Sequence, residues 1–218
     1  MEKDKLIIWG ATGQAIVLEE LISSSQIAIE CFFENNQTIK APFSQIPIHY
    51  GVDGFKNWLS NTPNFCDYYF AVAIGGEHGI IRRSIGYMLE KEGLKPYHAI
   101  HKTSFISYNA TIGKGCHVLA QTSICAKAII GDYCIINTSA SIDHECEIGH
   151  GTHIGPGAKL AGCISIGENV FIGTNATILP RIEIGDNTIV GAGAVVINNL
   201  PSNCVAVGNP AKIIKYKS

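Results

Sequence analysis

Charge is scarce in this 218-residue chain: Asp, Glu, Lys and Arg make up 16% of it, and the net charge is −2. No run of Lys or Arg interrupts that balance, so neither nucleic acid nor an anionic membrane surface is expected as a partner. The eight cysteines, Cys31, Cys66, Cys116, Cys125, Cys134, Cys146, Cys163 and Cys204, form no C-x-x-C pair of the kind used for structural zinc or thiol redox work. They are expected to be small buried thiols. No apolar run is long enough for a membrane span, and "MEKDKLIIWGATG" lacks the apolar core of a secretion signal. A cytoplasmic location is therefore expected. What remains is a chain that is 46% hydrophobic, enough for a packed core and ordinary small-molecule chemistry.

Two grammars divide the chain. Up to about residue 100, short apolar runs alternate with helix-like segments, as in parallel α/β units. "KLIIWG", "IAIECFFENN", "DYYFAVAIGG" and "KPYHAI" read as strands, with helices at "GQAIVLEELISS", "VDGFKNWLS" and "EHGIIRRSIGYMLEKEG". This is a half-Rossmann pattern, and residues 1–100 are expected to form one domain.

Residues 101–218 follow another rule. Counting in sixes gives Ile106, Ile112, Val118, Ile124, Ile130, Ile136, Ile142, Ile148, Ile154, Leu160, Ile166, Ile172, Ile178, Ile184, Val190 and Val196. With such residues near a quarter of an average chain, sixteen consecutive hits have a chance probability below about 10⁻⁹. Small residues recur four positions later, among them Ala110, Cys116, Thr122, Ala128, Cys134, Ala140, Cys146, Thr152 and Ala158. A six-residue period suits a triangular coil of eighteen residues with both columns pointing inward. Glycine often follows the aliphatic, where a turn or close packing excludes a side chain.

Residues eighteen apart then stack at about 4.8 Å. Gly162 lies over His144. Asn137, Gly155, Gly173 and Gly191 form one column, with Thr138, Pro156, Thr174 and Ala192 beside it, making a groove for a long thin ligand. His144 and His153 are half a coil apart and are not expected to share a metal. No metal site is expected. His117 and His150 are expected to be solvated, and Cys146 to be core.

The combination of "GATGQA", "AIGG" with "IIRR", "NTSASIDHECEIGHGTHIGPGAKLAG" and "VGNPAKII" resembles the hexapeptide-repeat nucleotide-sugar N-acetyltransferases of the sialic acid O-acetyltransferase-like family. The resemblance spans nearly the whole chain. It implies an α/β N-terminal domain followed by a left-handed parallel β-helix, a homotrimer with active sites between protomers, and acetyl-CoA as co-substrate.

It also implies site residues. His144, paired with Glu145, is the expected general base, since an imidazole titrating near 6.5 suits proton removal from an amine and a carboxylate fixes its tautomer. Asp143 is the competing carboxylate. Asn137, His153, Gly162, Thr174 and Ala192 match cofactor-site positions, with Gly162 N–H facing the thioester oxygen. Thr12, Gly13, Gln14, Glu34, Asn35 and Gly75 match nucleotide-sugar contacts at strand ends. "GATGQA" falls short of the full G-x-G-x-x-G pattern. Arg82 and Arg83 either approach a diphosphate or, as the preferred reading, lie on a solvated helix face.

The expected reaction is acetylation of the amino group of a UDP- or dTDP-linked 4-amino-4,6-dideoxy sugar. The alternatives are O-acetylation of a sugar such as a sialic acid, a zinc-dependent hydratase on the same coil, and a non-catalytic nucleotide-sugar-binding solenoid.

Overall fold

A computed structural model describes residues 4–23 and 26–217. The chain divides into two units: Met1–Ile74 with Ser84–Ala99, and Gly75–Arg83 with Ile100–Ser218. The first contains β1 (Asp4–Trp9), α1 (Gly13–Ser23), β2 (Ile27–Glu34), β3 (Ile48–Tyr50), α2 (Gly51–Asn61), β4 (Tyr69–Val72) and β5 (Lys95–Pro96), along with most of α3 (Gly79–Lys91). The expected first helix extended to Ser24, which lies outside the described residues.

The strands form one parallel sheet in the order β3-β2-β1-β4-β5. The central run Leu6, Ile7, Ile8 and Trp9 is at most 2% exposed, which explains why β1 reads as continuously apolar rather than alternating. Trp9, Phe33, Phe55 and Trp58 lock α2 onto the sheet, with Phe33 at 5.3 to 5.7 Å from each of the other three rings. Strand β3 was not legible in the sequence; it is three residues long and half-buried throughout. The strand order turns around at β1 and β4, so the loop after β1 opens at the sheet's switch point, where such folds bind ligands.

In the second unit, two-residue strands recur every six residues from Phe105 to Val196. They stack into three sheets with a register of eighteen: Ser123 pairs with Ser141, Ile129 with Glu147, and Ile135 with His153. All pairings are parallel until the end, where Cys204–Val207 meets Lys212–Tyr216 in antiparallel fashion. This is the coil that the six-residue period demands. From Val118 to Val196 the fourteen aliphatics of the column are at most 3% exposed, while Ile106 and Ile112, on the first coil, are partly buried. Each full burial contributes roughly 1.5–3 kcal/mol, which makes this column the principal driving force for the coil.

The left-handed backbone turn falls three residues after the aliphatic, at Gln121, Lys127, Tyr133, Ser139, Glu145 and onward, with φ between 55° and 62° at these non-glycine corners. The glycine directly after the aliphatic serves a different need. A Cβ on Gly149 would sit 2.4 Å from the Gly167 carbonyl carbon and 2.7 Å from Glu168 N. Close stacking of successive coils, not turn geometry, therefore selects glycine there. Gly149→Ala should destabilise the second unit by about 1–3 kcal/mol through overpacking, read as a lowered midpoint in chemical denaturation.

Candidate active site

His144 stands on a corner between the strands Ser141–Ile142 and Glu147–Ile148. Ile142 points into the core, and the chain then turns through Asp143, His144 and Glu145, with Glu145 at φ 57°. All three side chains are exposed. The Asp143 carboxylate accepts the His144 backbone N–H at 2.7 Å. Glu145 Oε2 instead lies 3.2 Å from His144 Nδ1. The two carboxylates thus divide the work: Asp143 shapes the turn and Glu145 orients the ring. Lys127, eighteen residues earlier, reaches Glu145 Oε1 at 3.4 Å. Hydrogen bonding to His144 first, and to Lys127 second, holds the Glu145 carboxyl below its ordinary range. An anionic partner at Nδ1 leaves Nε2 as the lone-pair nitrogen of a neutral ring.

Gly162 lies against that nitrogen. A Cβ there would fall 2.5 Å from His144 Nε2 and 2.6 Å from Cε1. A side chain at position 162 would push the imidazole out of this place. The Gly162 N–H has no acceptor among the described residues. At equivalent corners the N–H of Lys114, Asp132 and Glu168 is taken by a side chain eighteen residues on: Asp132, His150 and Asp186 respectively. The residue eighteen beyond Gly162 is Pro180, which offers no side-chain acceptor. One buried-glycine donor is therefore left beside a candidate base.

His153 occupies a contrasting environment in another sheet. It is 5% exposed, its ring meets Phe171 edge-on at 5.3 Å, and its Nδ1 accepts the Gly76 N–H at 2.8 Å. A neutral ring so held carries its proton on Nε2, which lies 3.1 Å from Asn137 Nδ2. Asn137 Oδ1 accepts the Thr138 N–H at 2.8 Å, so the Nε2–H faces a second donor and finds no acceptor on Asn137. Burial, and then the Arg82 charge, push His153 down to about 3. It is a neutral hydrogen-bond donor at any ordinary pH, not a base.

Segment 75–83 belongs to this second unit and corrects two expectations. Arg82 is 1% exposed; its Nε donates to the Tyr133 carbonyl at 2.8 Å and its Nη2 to the Gly151 carbonyl. Arg83 pairs with Glu168. Neither lies on a solvated helix face, because the β-helix supplies carbonyls and a carboxylate that the local helical pattern could not reveal. His117, expected to be solvated, is also 1% exposed. Burial first and the Arg82 charge second push it to about 3. His150 is half-exposed and caps a corner by accepting the Asp132 N–H. Cys66 is exposed and Cys125 and Cys163 are partly so, whereas the other five cysteines, Cys146 included, are buried.

The proposed groove columns stack as spaced. The N–H groups of Asn137, Gly155, Gly173 and Gly191 donate to the carbonyls of Ile154, Ile172, Val190 and Ala206 at 2.7 to 2.9 Å. Thr174 and Ala192 are exposed beside them. Their N–H groups have no acceptor among the described residues.

In the first unit, Thr12 and Gly13 are exposed and Gln14 half-buried where α1 starts. A helix start offers free N–H groups suited to phosphate oxygens. Glu34, at the end of β2, accepts the N–H of Ala11, Asn35 and Asn36 at 2.8 to 3.1 Å. Its carboxylate is thus largely committed to tying the β1 loop to β2, leaving Asn35 as the exposed polar group. Gly75 falls in the second unit.

Comparison with known proteins defines the class first. The family model "Bacterial transferase hexapeptide (six repeats)" matches residues 128–162 and 163–198, and the repeat unit is that of a left-handed parallel β-helix. The structure is similar to that of perosamine N-acetyltransferase from Caulobacter crescentus in complex with CoA and GDP-perosamine, at 31% identity over 97% of each chain and a TM-score of 0.87. It is also similar to the acetyltransferase domain of PglB from Neisseria gonorrhoeae in complex with acetyl coenzyme A, at 30% identity over 97% of this chain and 100% of that one, TM-score 0.84. WeeI from Acinetobacter baumannii shares the fold at 24% identity, 97% and 100% coverage and TM-score 0.83. No curated protein matches the chain. The chain belongs to the hexapeptide-repeat sugar acetyltransferases.

His117 and His153 make stability depend on acidity. Above about pH 6.5 both are neutral in folded and unfolded chains, and nothing is lost. Below it the unfolded chain takes up protons that the folded state refuses, so stability falls at up to about 1.4 kcal/mol per pH unit per histidine. Thermal unfolding between pH 7 and 5 should show this decline, and His153→Gln should make it shallower by one histidine's share.

Proposed function

We propose that the chain transfers the acetyl group of acetyl-CoA to the amino group of a nucleotide-linked amino sugar. The observation carrying this reading is the His144–Glu145 pair packed against Gly162, whose N–H is left without an acceptor. A base and an unpaired donor side by side suit attack of an amine on a thioester: one takes the proton and the other receives the developing oxyanion. The solved Caulobacter and Neisseria relatives, with CoA, acetyl-CoA and GDP-perosamine bound, support the same substrates here.

In this reading Glu145 holds the His144 tautomer, and the amine of the sugar gives its proton to Nε2 as it attacks the acetyl carbon. The tetrahedral intermediate collapses with expulsion of CoA thiolate. No acyl-enzyme is needed, and Cys146, fully buried, takes no part. His153 Nε2–H, steered by Gly76 and neighboured by Asn137, is the donor at the acetyl end of the cofactor. The exposed N–H groups of Thr174 and Ala192 are the backbone contacts for pantetheine. The first unit would hold the nucleotide through Thr12, Gly13, Gln14 and Asn35, with Glu34 positioning the loop.

Because His144 and His153 lie half a coil apart, we assign the complete site to neighbouring protomers of a trimer. Among the described residues no helix is long and apolar enough to cross a membrane. A nucleotide-linked sugar and acetyl-CoA as substrates support a cytoplasmic enzyme.

Acetyl-CoA assays against UDP-, dTDP- and GDP-linked 4-amino sugars and free sialic acid test the acceptor. Activity confined to a nucleotide-linked amine supports the proposal, while preference for a free sugar hydroxyl would replace it with O-acetylation. His144→Ala should lower kcat at least ~10²-fold, and near-normal turnover would remove the base assignment. Mixing His144→Ala with His153→Ala chains after unfolding and joint refolding should regain activity that neither variant has alone. A mixture as inactive as its components would place both histidines in one protomer's site.

A further inference from the structure

The corner above His144 carries one group, the Cys163 thiol, that acetyl transfer does not use. Cys163 stands eighteen residues after Glu145 and shares its left-handed turn, φ 61° against 57°. Its backbone N–H donates to the His144 carbonyl at 2.9 Å. The thiol, partly exposed, lies 4.0 Å from His144 Nδ1. His144, Glu145 and Cys163 each present one ligand atom, and these atoms lie within 4.8 Å of one another. Around an ion with bonds of 2.0–2.3 Å, tetrahedral ligand atoms are separated by about 3.3–3.8 Å. The imidazole and carboxylate are already 3.2 Å apart, so closing the set needs the thiol and its partners to approach by at most about 1–1.5 Å.

We propose that His144 Nδ1, Glu145 and Cys163 Sγ form an inhibitory site for a soft divalent cation of the zinc class. Thiolate, imidazole and carboxylate together select such an ion over magnesium or calcium, which take all-oxygen shells. Three protein ligands leave a fourth position for water. On binding, the Cys163 thiol gives its proton to solvent, and the imidazole proton moves from Nδ1 to Nε2, because a neutral ring that gives Nδ1 to a metal keeps its proton on the other nitrogen. Nε2 then has no lone pair for the sugar amine, and Glu145 is drawn from its role as orienting partner. The ion switches off the base without touching either substrate. The inhibitory consequence rests on the reading of His144 as general base; the binding site does not.

The test is titration of the full-length, metal-free protein with Zn²⁺ by calorimetry, and with Co²⁺ by the near-ultraviolet sulfur-to-cobalt charge-transfer band, beside acetyl-transfer assays over the same Zn²⁺ range. The proposal expects one Zn²⁺ per chain, a thiolate band, and inhibition reversed by EDTA. Cys163→Ser should keep basal activity, lose the band, and weaken both binding and inhibition at least tenfold. Cys66→Ser and Cys125→Ser should behave as wild type. Zn²⁺ uptake and inhibition unchanged in Cys163→Ser would overturn the site. Uptake that depends on Cys163 but leaves turnover intact would uphold the binding site and overturn both the inhibition and the role of His144 as base.

Discussion

Everything at the candidate site depends on one backbone ladder, in which each coil hydrogen-bonds to the coil eighteen residues further on. Once that register is set, the surroundings of a residue are decided less by its sequence neighbours than by the residue eighteen away. Glycine follows the aliphatic because the next coil's backbone would lie inside a Cβ. The same register decides where polar groups are satisfied. Asp132, His150 and Asp186 each cap the corner below them, and Pro180 cannot. The Gly162 N–H, like those of Thr174 and Ala192, is left without an acceptor among the described residues, and a Cβ at Gly162 would meet the ring of His144.

The ladder also gives two histidines opposite electrostatic lives. His144 is 52% exposed at its side chain and faces an anionic Glu145. His153 is buried near a buried arginine and stays neutral. The difference in burial follows from position in the hexad. His144 occupies a corner, where both flanking side chains project outward, while His153 directly precedes an inward aliphatic on a strand that Gly76 and Arg82 help to cover.

The periodic part of this structure was legible because its causes repeat: a core column every six residues, a small column four positions later, and stacking every eighteen. Reading Cys146 as core and Gly162 as lying over His144 needed only counting. The same counting separates the cysteines, although composition alone had grouped them as buried. Cys116, Cys134 and Cys146 sit in the inward column, whereas Cys163 sits at a left-handed corner and Cys125 directly after an aliphatic. What counting could not reach was segment 75–83. Its helical spacing describes α3, not the fact that Arg82 would find carbonyl acceptors at Tyr133 and Gly151, two corners eighteen residues apart. His117 was misjudged for the same reason: its outward position on the coil is real, but burial there is set by tertiary neighbours with no period.

Arg82 illustrates what such a non-periodic element adds to a periodic one. Its hydrogen bonds to Tyr133 and Gly151 span two successive coils at corresponding corners, so it reinforces the ladder where it borders His153. A buried guanidinium is costly unless its donors are satisfied, and carbonyl oxygens satisfy these without neutralising the charge. Burial brings Arg82 down only to about 10, so the cation persists at neutral pH and opposes protonation of both His117 and His153. The Gly76 N–H, from the same segment, selects which nitrogen of His153 keeps its proton. One nine-residue stretch outside the repeats thereby sets the charge and the tautomer of a side chain within them, a control that the symmetry of the coil could not provide by itself.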